Sequence, residues 1–282
     1  MGAAAPFEYA PLSPHIGVEV HADLREELSP AQREQFVELY RRHHLLLFRG
    51  TPLSPEDQTR AVSYLGDALP GGYISNTRPE GAAGEGELEF HSDLTYMDTP
   101  VRGISLYGED VEEGAPGTKY ANAQRACSLL PDALRESLRD RTAVHVWMPA
   151  HSHKRTRESD MTERGLRATH PVLYAKPDTG EPVLLITWLA TDRILDMPPA
   201  ESDALLDELA GYIYRPDNIY EHVWRNHDLV IWDNLALQHA RSNVRRDGPH
   251  RSLRRVAFAP SGGVEAATAA QEKIRRAATM SA

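Results

Sequence analysis

Short apolar runs separated by turn residues dominate the chain, with a few helical stretches between them. Leu45–Phe48 is a four-residue apolar run stopped by Arg49-Gly50, the pattern of a buried strand. Strands are also expected at Ile16–Val20, Glu87–Tyr96, Gly103–Tyr107, Thr142–Trp147, Tyr220–Trp224, Asp228–Trp232, Leu237–Ala240 and Leu253–Phe258. His170–Tyr174 and Val183–Trp188 read as a hairpin around Pro177-Asp178-Thr179-Gly180. Ser29-Pro30-Ala31-Gln32 carries a capping box with proline at the first helical position, and Phe36, Leu39 and Tyr40 follow at helical spacing to about His43. Ser54-Pro55 opens a second helix with Glu56 and Asp57 in its first turn. Further helices are expected near Pro131, over Pro199–Tyr212 with Leu205, Leu206 and Leu209 inward, and over Val264–Met280. Ala68–Gly86, rich in Gly, Pro and Asn, is expected to be a loop.

These elements predict an α+β protein: a double-stranded β-helix (jelly-roll) core flanked by helices. Residues 1–282 fit one domain, with 264–282 as a C-terminal helix. Residues 150–168 are highly charged and almost free of apolar side chains, the composition of a solvated insertion or lid.

Charge narrows the partners. A net charge of −10 argues against a broad nucleic-acid surface. No apolar run is long enough to cross a membrane, and the N-terminal stretch lacks the basic and apolar regions of a signal peptide. With a single cysteine, Cys127, no internal disulfide can form. Its apolar neighbours Leu129 and Leu130 suggest a buried, inert thiol. A cytoplasmic protein acting on a small molecule is the expectation, with homo-oligomerisation left open.

The chemistry gathers at His91-Ser92-Asp93. On an extended segment, residues two apart share a face, so one imidazole and one carboxylate would project together. That pair is two-thirds of the 2-His-1-carboxylate face that holds non-haem Fe(II). Alone it is weak, since H-x-D is common. The runs Val230–Ala240, which presents His239 after an Asp233-Asn234 turn, and Arg251-Ser252-Leu253-Arg254-Arg255 add context. Arg251 and Arg255 share a strand face, and two guanidinium groups aimed into a sheet sandwich call for anions.

Together, HSD at 91–93, GTKYAN at 117–122, WDNLALQH at 232–239 and RSLRR at 251–255 resemble the taurine dioxygenase/2,4-dichlorophenoxyacetate dioxygenase family of Fe(II)- and 2-oxoglutarate-dependent oxygenases. The resemblance runs over roughly residues 15–260. It implies Fe(II) held by His91, Asp93 and His239, with O2 and 2-oxoglutarate as cosubstrates. It implies that Thr118 and Arg251 bind the distal carboxylate of 2-oxoglutarate. It places Arg255 near the substrate or the iron-proximal end of the cosubstrate, with Arg254 facing away. The implied reaction oxidises an unactivated C–H bond, by hydroxylation or another outcome, and releases succinate and CO2. Related halogenases carry a small residue in place of the carboxylate, so the presence of Asp93 disfavours halogenation. Taurine-specific members carry a histidine where Leu65–Leu69 has none, so taurine is not the expected substrate. A small anionic or amino-acid-like molecule is expected instead, in catabolism or in secondary metabolism. Candidate substrate contacts are Tyr73, Asn76, Leu94, Tyr96, Trp188, Ala190 and Arg255.

Two other readings stay open: a non-catalytic binding protein of the same fold, and a cosubstrate-independent jelly-roll metalloenzyme. The second leaves Thr118 and Arg251 without a task. His151 and His153 also have H-x-H spacing, but in a charged stretch that favours solvation over metal binding.

Overall fold

The computed structural model describes residues 6–79, 81–82, 85–148, 156–163, 165–260, 262–263, 265, 268–269, 272–274 and 276. Along the chain these form β1 (Glu8–Pro11), β2 (Val18–His21), α1 (Pro30–His43), β3 (Leu45–Phe48), α2 (Pro55–Ser63), β4 (Asp67–Ser75), β5 (Gly86–His91), β6 (Gly103–Val111) and β7 (Thr118–Asn122). Then come α3 (Ala123–Ser128), α4 (Asp132–Ser137), β8 (Thr142–Trp147), β9 (Leu166–Pro171), β10 (Leu173–Ala175), β11 (Pro182–Leu184) and β12 (Thr191–Ile194). The chain continues with α5 (Pro199–Ile213), β13 (Ile219–His222), β14 (Leu229–Asp233), β15 (Leu237–Val244) and β16 (Arg251–Ala259).

A seven-stranded sheet, β1-β2-β3-β14-β6-β16-β4, faces a four-stranded sheet, β13-β7-β15-β5. Between them Leu45, Leu47, Ile104, Leu106, Val230, Trp232 and Leu253 of the larger sheet meet Tyr120 and Leu237 of the smaller. The opposite face of the larger sheet packs Leu46, Phe48, Leu229, Ile231 and Phe258 against Phe36, Leu39, Tyr40, Ala61 and Val62 of α1 and α2. Both faces of β3 and β14 are thus covered, which is why these strands read as continuous apolar runs. Each leucine so buried contributes about 2 kcal/mol. A third core lies under α3 and α5, where Leu206, Leu209 and Ile213 pack on Cys127, Leu184 and Ile186. Cys127 is buried as expected, and burial raises its pKa. Among the described residues, no helix is long and apolar enough to cross a membrane.

The capped helices form where the sequence places them. In α1 the Ser29 side chain accepts the Gln32 N–H, and Gln32 reaches back to the Ser29 N–H at 3.0 Å. The helix ends at His44, which takes a left-handed φ of 62°. The capping box of α2 uses Ser54 and Asp57 in the same way.

Four expectations need correction. Residues 68–86 are not all loop, because β4 occupies Asp67–Ser75 and pairs with β16. Local composition disfavours a strand there, but β4 lies at the sheet edge, where irregular pairing is tolerated. Its extra residue falls around Gly71-Gly72, between the pairs Tyr73↔Arg254 and Pro70↔Val256. A Cβ at Gly71 would lie 3.0 Å from the Arg255 carbonyl oxygen, so a side chain there would require the strands to shift apart by a few tenths of an ångström. Second, β5 ends at His91, leaving Asp93 beyond the strand. Third, the hairpin is the short β10–β11 pair, and Trp188 and Ala190 lie past it rather than on it. Fourth, the charged 150–168 stretch does not extend to its expected end, since residues 166–168 already belong to β9. Residues 149–155, including His151 and His153, and most of the expected terminal helix lie outside the described residues.

Candidate active site

His91 and His239 are direct cross-strand partners on β5 and β15. Directly opposed residues in an antiparallel pair bring their side chains together, and here the ring centroids stand 4.2 Å apart. Asp93 reaches the same spot by another route. The chain turns out of β5 through Leu94, whose φ of 62° is uncommon for a non-glycine residue. Asp93, the residue before that turn, has its Oδ1 3.4 Å from His91 Nε2 and 3.6 Å from His239 Nε2. One donor atom from each residue lies within 4.8 Å of the others.

The donor set suits a divalent iron. His91 Nδ1 lies 2.7 Å from the Glu89 carbonyl oxygen. A carbonyl can only accept, so Nδ1 carries a proton and Nε2 is the nitrogen open to a metal. Burial, with help from the His91 ring, pushes His239 down to about 3, so its imidazole is neutral near pH 7. Burial alone would raise Asp93, but the Arg255 guanidinium outweighs it and holds the carboxylate ionised. Arg255 Nη2 donates to Asp93 Oδ2 at 2.7 Å. Arg255 is therefore tied to the carboxylate side of the triad, a more specific placement than the sequence allowed.

Thr118 and Arg251 meet in the wall of the same cavity. Arg251 Nη2 donates to Thr118 Oγ1 at 3.0 Å, and Arg251 Nε donates to the Pro116 carbonyl at 2.9 Å. Trp224 Nε1 also donates to Thr118 Oγ1, at 2.9 Å. Burial, then the nearby Arg241 charge, lowers Arg251. Arg254 points the opposite way, donating to Gln58 Oε1 at 2.7 Å and to the Leu53 carbonyl at 2.9 Å.

All six residues border one cavity of about 340 Å³. Of the expected substrate contacts, Leu94, Tyr96, Ala190 and Arg255 line it. Tyr73, Asn76 and Trp188 do not. The Tyr73 ring lies under Arg78, 3.8 Å from the guanidinium carbon. Asn76 bonds to the backbone of Arg245, Pro249 and Arg251. Trp188 is 40% exposed, on the outside of the fold.

The cavity also holds residues that sequence reasoning missed. Arg241 lines it and donates to the Gly86 carbonyl at 2.9 Å. A signal for it existed, because it lies two residues past His239 on one strand and so shares its face. Leu88, Trp147, Thr156 and Leu189 also line the wall, and Trp147 stacks on Tyr96 with centroids 5.4 Å apart. None of these four carries a local sequence signal.

The family model described as taurine catabolism dioxygenase TauD, TfdA family matches residues 8–257. The chain belongs to this family and is an Fe(II)/2-oxoglutarate-dependent dioxygenase, an oxidoreductase that requires Fe(II), 2-oxoglutarate and O2. One relative, the (S)-phenoxypropionate/alpha-ketoglutarate-dioxygenase of Sphingobium herbicidovorans, is 28% identical over 254 residues, 83% of this chain and 88% of that protein. The alpha-ketoglutarate-dependent sulfate ester dioxygenase of Pseudomonas putida is 28% identical over 280 residues, 91% of this chain and 90% of that one. A crystal structure of a taurine dioxygenase from Burkholderia xenovorans matches with a TM-score of 0.76 at 25% identity, covering 89% of this chain and 90% of its own.

Proposed function

We propose that this enzyme oxidises a C–H bond in a small molecule that joins an apolar body to an anionic group. In this reading His91, Asp93 and His239 hold Fe(II), and Thr118 and Arg251 hold the distal carboxylate of 2-oxoglutarate. Iron, with 2-oxoglutarate and O2, supplies the oxidising chemistry, with succinate and CO2 released. Arg255 keeps Asp93 ionised and oriented. The two facing sheets act as a jelly-roll, rigid enough to hold residues from β5, β7, β15 and β16 in register. The described residues 156–163 of the charged stretch cover the cavity, a reading supported by Thr156 in its wall.

The observation that carries the substrate class is the charge of the cavity. Arg241, Arg251 and Arg255 line it against a single carboxylate, Asp93. The two carboxylates of 2-oxoglutarate offset the remaining guanidinium charge, and the two charges of Fe(II) are then left over. A buried excess of that sign favours an anionic substrate. The rest of the wall, including Leu88, Leu94, Tyr96, Val146, Trp147 and Leu189, suits a hydrocarbon or aromatic body. The names of the two relatives, which specify phenoxypropionate and sulfate esters, are compatible with that chemistry.

The test supplies Fe(II), 2-oxoglutarate and O2 with a panel of aryloxyalkanoates, alkyl sulfate esters and apolar carboxylates, each beside its neutral amide or alcohol counterpart. Succinate and oxidised product are read by mass spectrometry. Substrate-dependent succinate for anionic members is expected. Equal turnover of the neutral counterparts would remove the anionic requirement. No metal-dependent binding of 2-oxoglutarate would remove the whole reading.

A further inference from the structure

Thr118 stands in the cavity wall at the start of β7. Trp224 lies behind it, 4% exposed, in the connection between β13 and β14. Its indole packs edge-on against His222, with centroids 4.6 Å apart at 90°. The ring is thus held from behind while its N–H points at Thr118.

A threonine hydroxyl has two lone pairs and one hydrogen. At Thr118 both lone pairs receive donors, from Trp224 Nε1 at 2.9 Å and from Arg251 Nη2 at 3.0 Å. Neither donor can reverse its role, since an indole N–H and a guanidinium only donate. The Thr118 hydrogen must therefore be given away, and no described residue accepts it. We propose that Trp224 is a positioning residue: with Arg251 it saturates the Thr118 oxygen and makes that hydroxyl an obligate donor to the distal carboxylate of 2-oxoglutarate. The proposal rests on the reading above, in which Thr118 and Arg251 bind that carboxylate.

A donor fixed before the ligand arrives needs no reorganisation when a carboxylate binds. Without the indole, one lone pair of Thr118 is freed and the hydroxyl can rotate among several arrangements. Binding of the distal carboxylate then weakens, whereas a 2-oxo acid that lacks this group is indifferent.

The experiment is an anaerobic titration of the Fe(II) protein with 2-oxoglutarate or with 2-oxobutyrate, reading the metal-dependent absorption band. Trp224→Phe should weaken 2-oxoglutarate about tenfold and leave 2-oxobutyrate within about twofold. Thr118→Val should weaken 2-oxoglutarate at least as much, and Thr118→Ser should keep most of the affinity. Adding Trp224→Phe to Thr118→Val should cost nothing further, because the tryptophan acts through the hydroxyl. Additive losses, or equal weakening of both ligands, would overturn the proposal. So would unchanged 2-oxoglutarate binding in Thr118→Val, a result that still decides the matter if Trp224→Phe does not fold. Absence of 2-oxoglutarate binding in the unmodified protein would instead overturn the reading of the site, and this proposal with it.

Discussion

The Asn234 carboxamide grips the backbone of Asp93 at two points, 141 residues away in sequence. Its Oδ1 accepts the Asp93 N–H at 2.8 Å, and its Nδ2 donates to the Asp93 carbonyl at 3.0 Å and to that of Val101 at 2.9 Å. The same turn is closed by Asp233 Oδ1, which accepts the N–H groups of Leu235 and Ala236 at 3.0 and 3.1 Å. It leads directly into β15 and His239. One turn therefore sets the position of two of the three proposed ligands.

Asn234→Ala should weaken Fe(II) or Co(II) affinity by about 10- to 100-fold, the usual cost of losing a group that orients a metal ligand. Asn234→Asp should do no better, since it loses the donor and adds a charge. Metal titration by calorimetry reads this directly. An affinity unchanged in both variants would show that Asp93 is held by other means.

The turn is anchored from behind by a buried ion pair. Lys176 Nζ lies 3.3 Å from Asp233 Oδ2 with both side chains fully buried, and Arg102 stands 3.8 Å from the same oxygen. Burial raises the Asp233 pKa, but Arg102 and Lys176 outweigh it, so the net shift is downward. Lys176→Met leaves the buried carboxylate with only the more distant Arg102 as its cation, and should cost about 3 kcal/mol at pH 7. A depressed carboxylate stabilises above its unfolded pKa and loses that contribution as the pH falls. The gap between variant and parent should therefore narrow below about pH 4. Denaturant titrations across that range would reveal a constant gap if the pair were inert.

Three histidines whose pKa values are depressed by desolvation make the metal-free protein acid-sensitive. Burial lowers His44 to about 4, and His145 and His239 to about 3. In the unfolded chain each takes up a proton near pH 6.5. Between these values the unfolded state binds more protons, so stability drops as pH falls, by about 1.4 kcal/mol per pH unit for each histidine. Unfolding midpoints should decline between pH 6.5 and about 4.5. A flat profile would mean that these rings are hydrated or already charged.

Arg255 should set how metal binding responds to pH. With Arg255 in place, Asp93 stays ionised well below neutral pH. In Arg255→Ala burial dominates and the carboxylate pKa rises, so protons compete with metal in weak acid. Metal affinity should then fall more steeply than in the parent between pH 7 and 5, by about tenfold at the lower end. Parallel affinity–pH curves for the two proteins would contradict this role.

The local rules in the chain were enough for α1, α2, β3 and β8. Capping boxes, proline at the first helical position and short apolar runs act over a few residues and do not depend on the rest of the fold. The proposed roles of His91, Asp93, Thr118, His239 and Arg251 came from the resemblance of four short motifs, taken in order, to a known family. What brings them together was not legible in those motifs. The pairing of His91 with His239 depends on the register of β5 against β15, and Asp93 joins them from beyond the strand end, its backbone held by Asn234. β4 forms against its own composition because β16 supplies the hydrogen-bonding partners. Trp147 and Trp224 reach the site or its supports from segments with no motif of their own. Sheet register, turn geometry and burial are set by contacts between residues far apart in the chain, and those contacts override local preference wherever the two disagree.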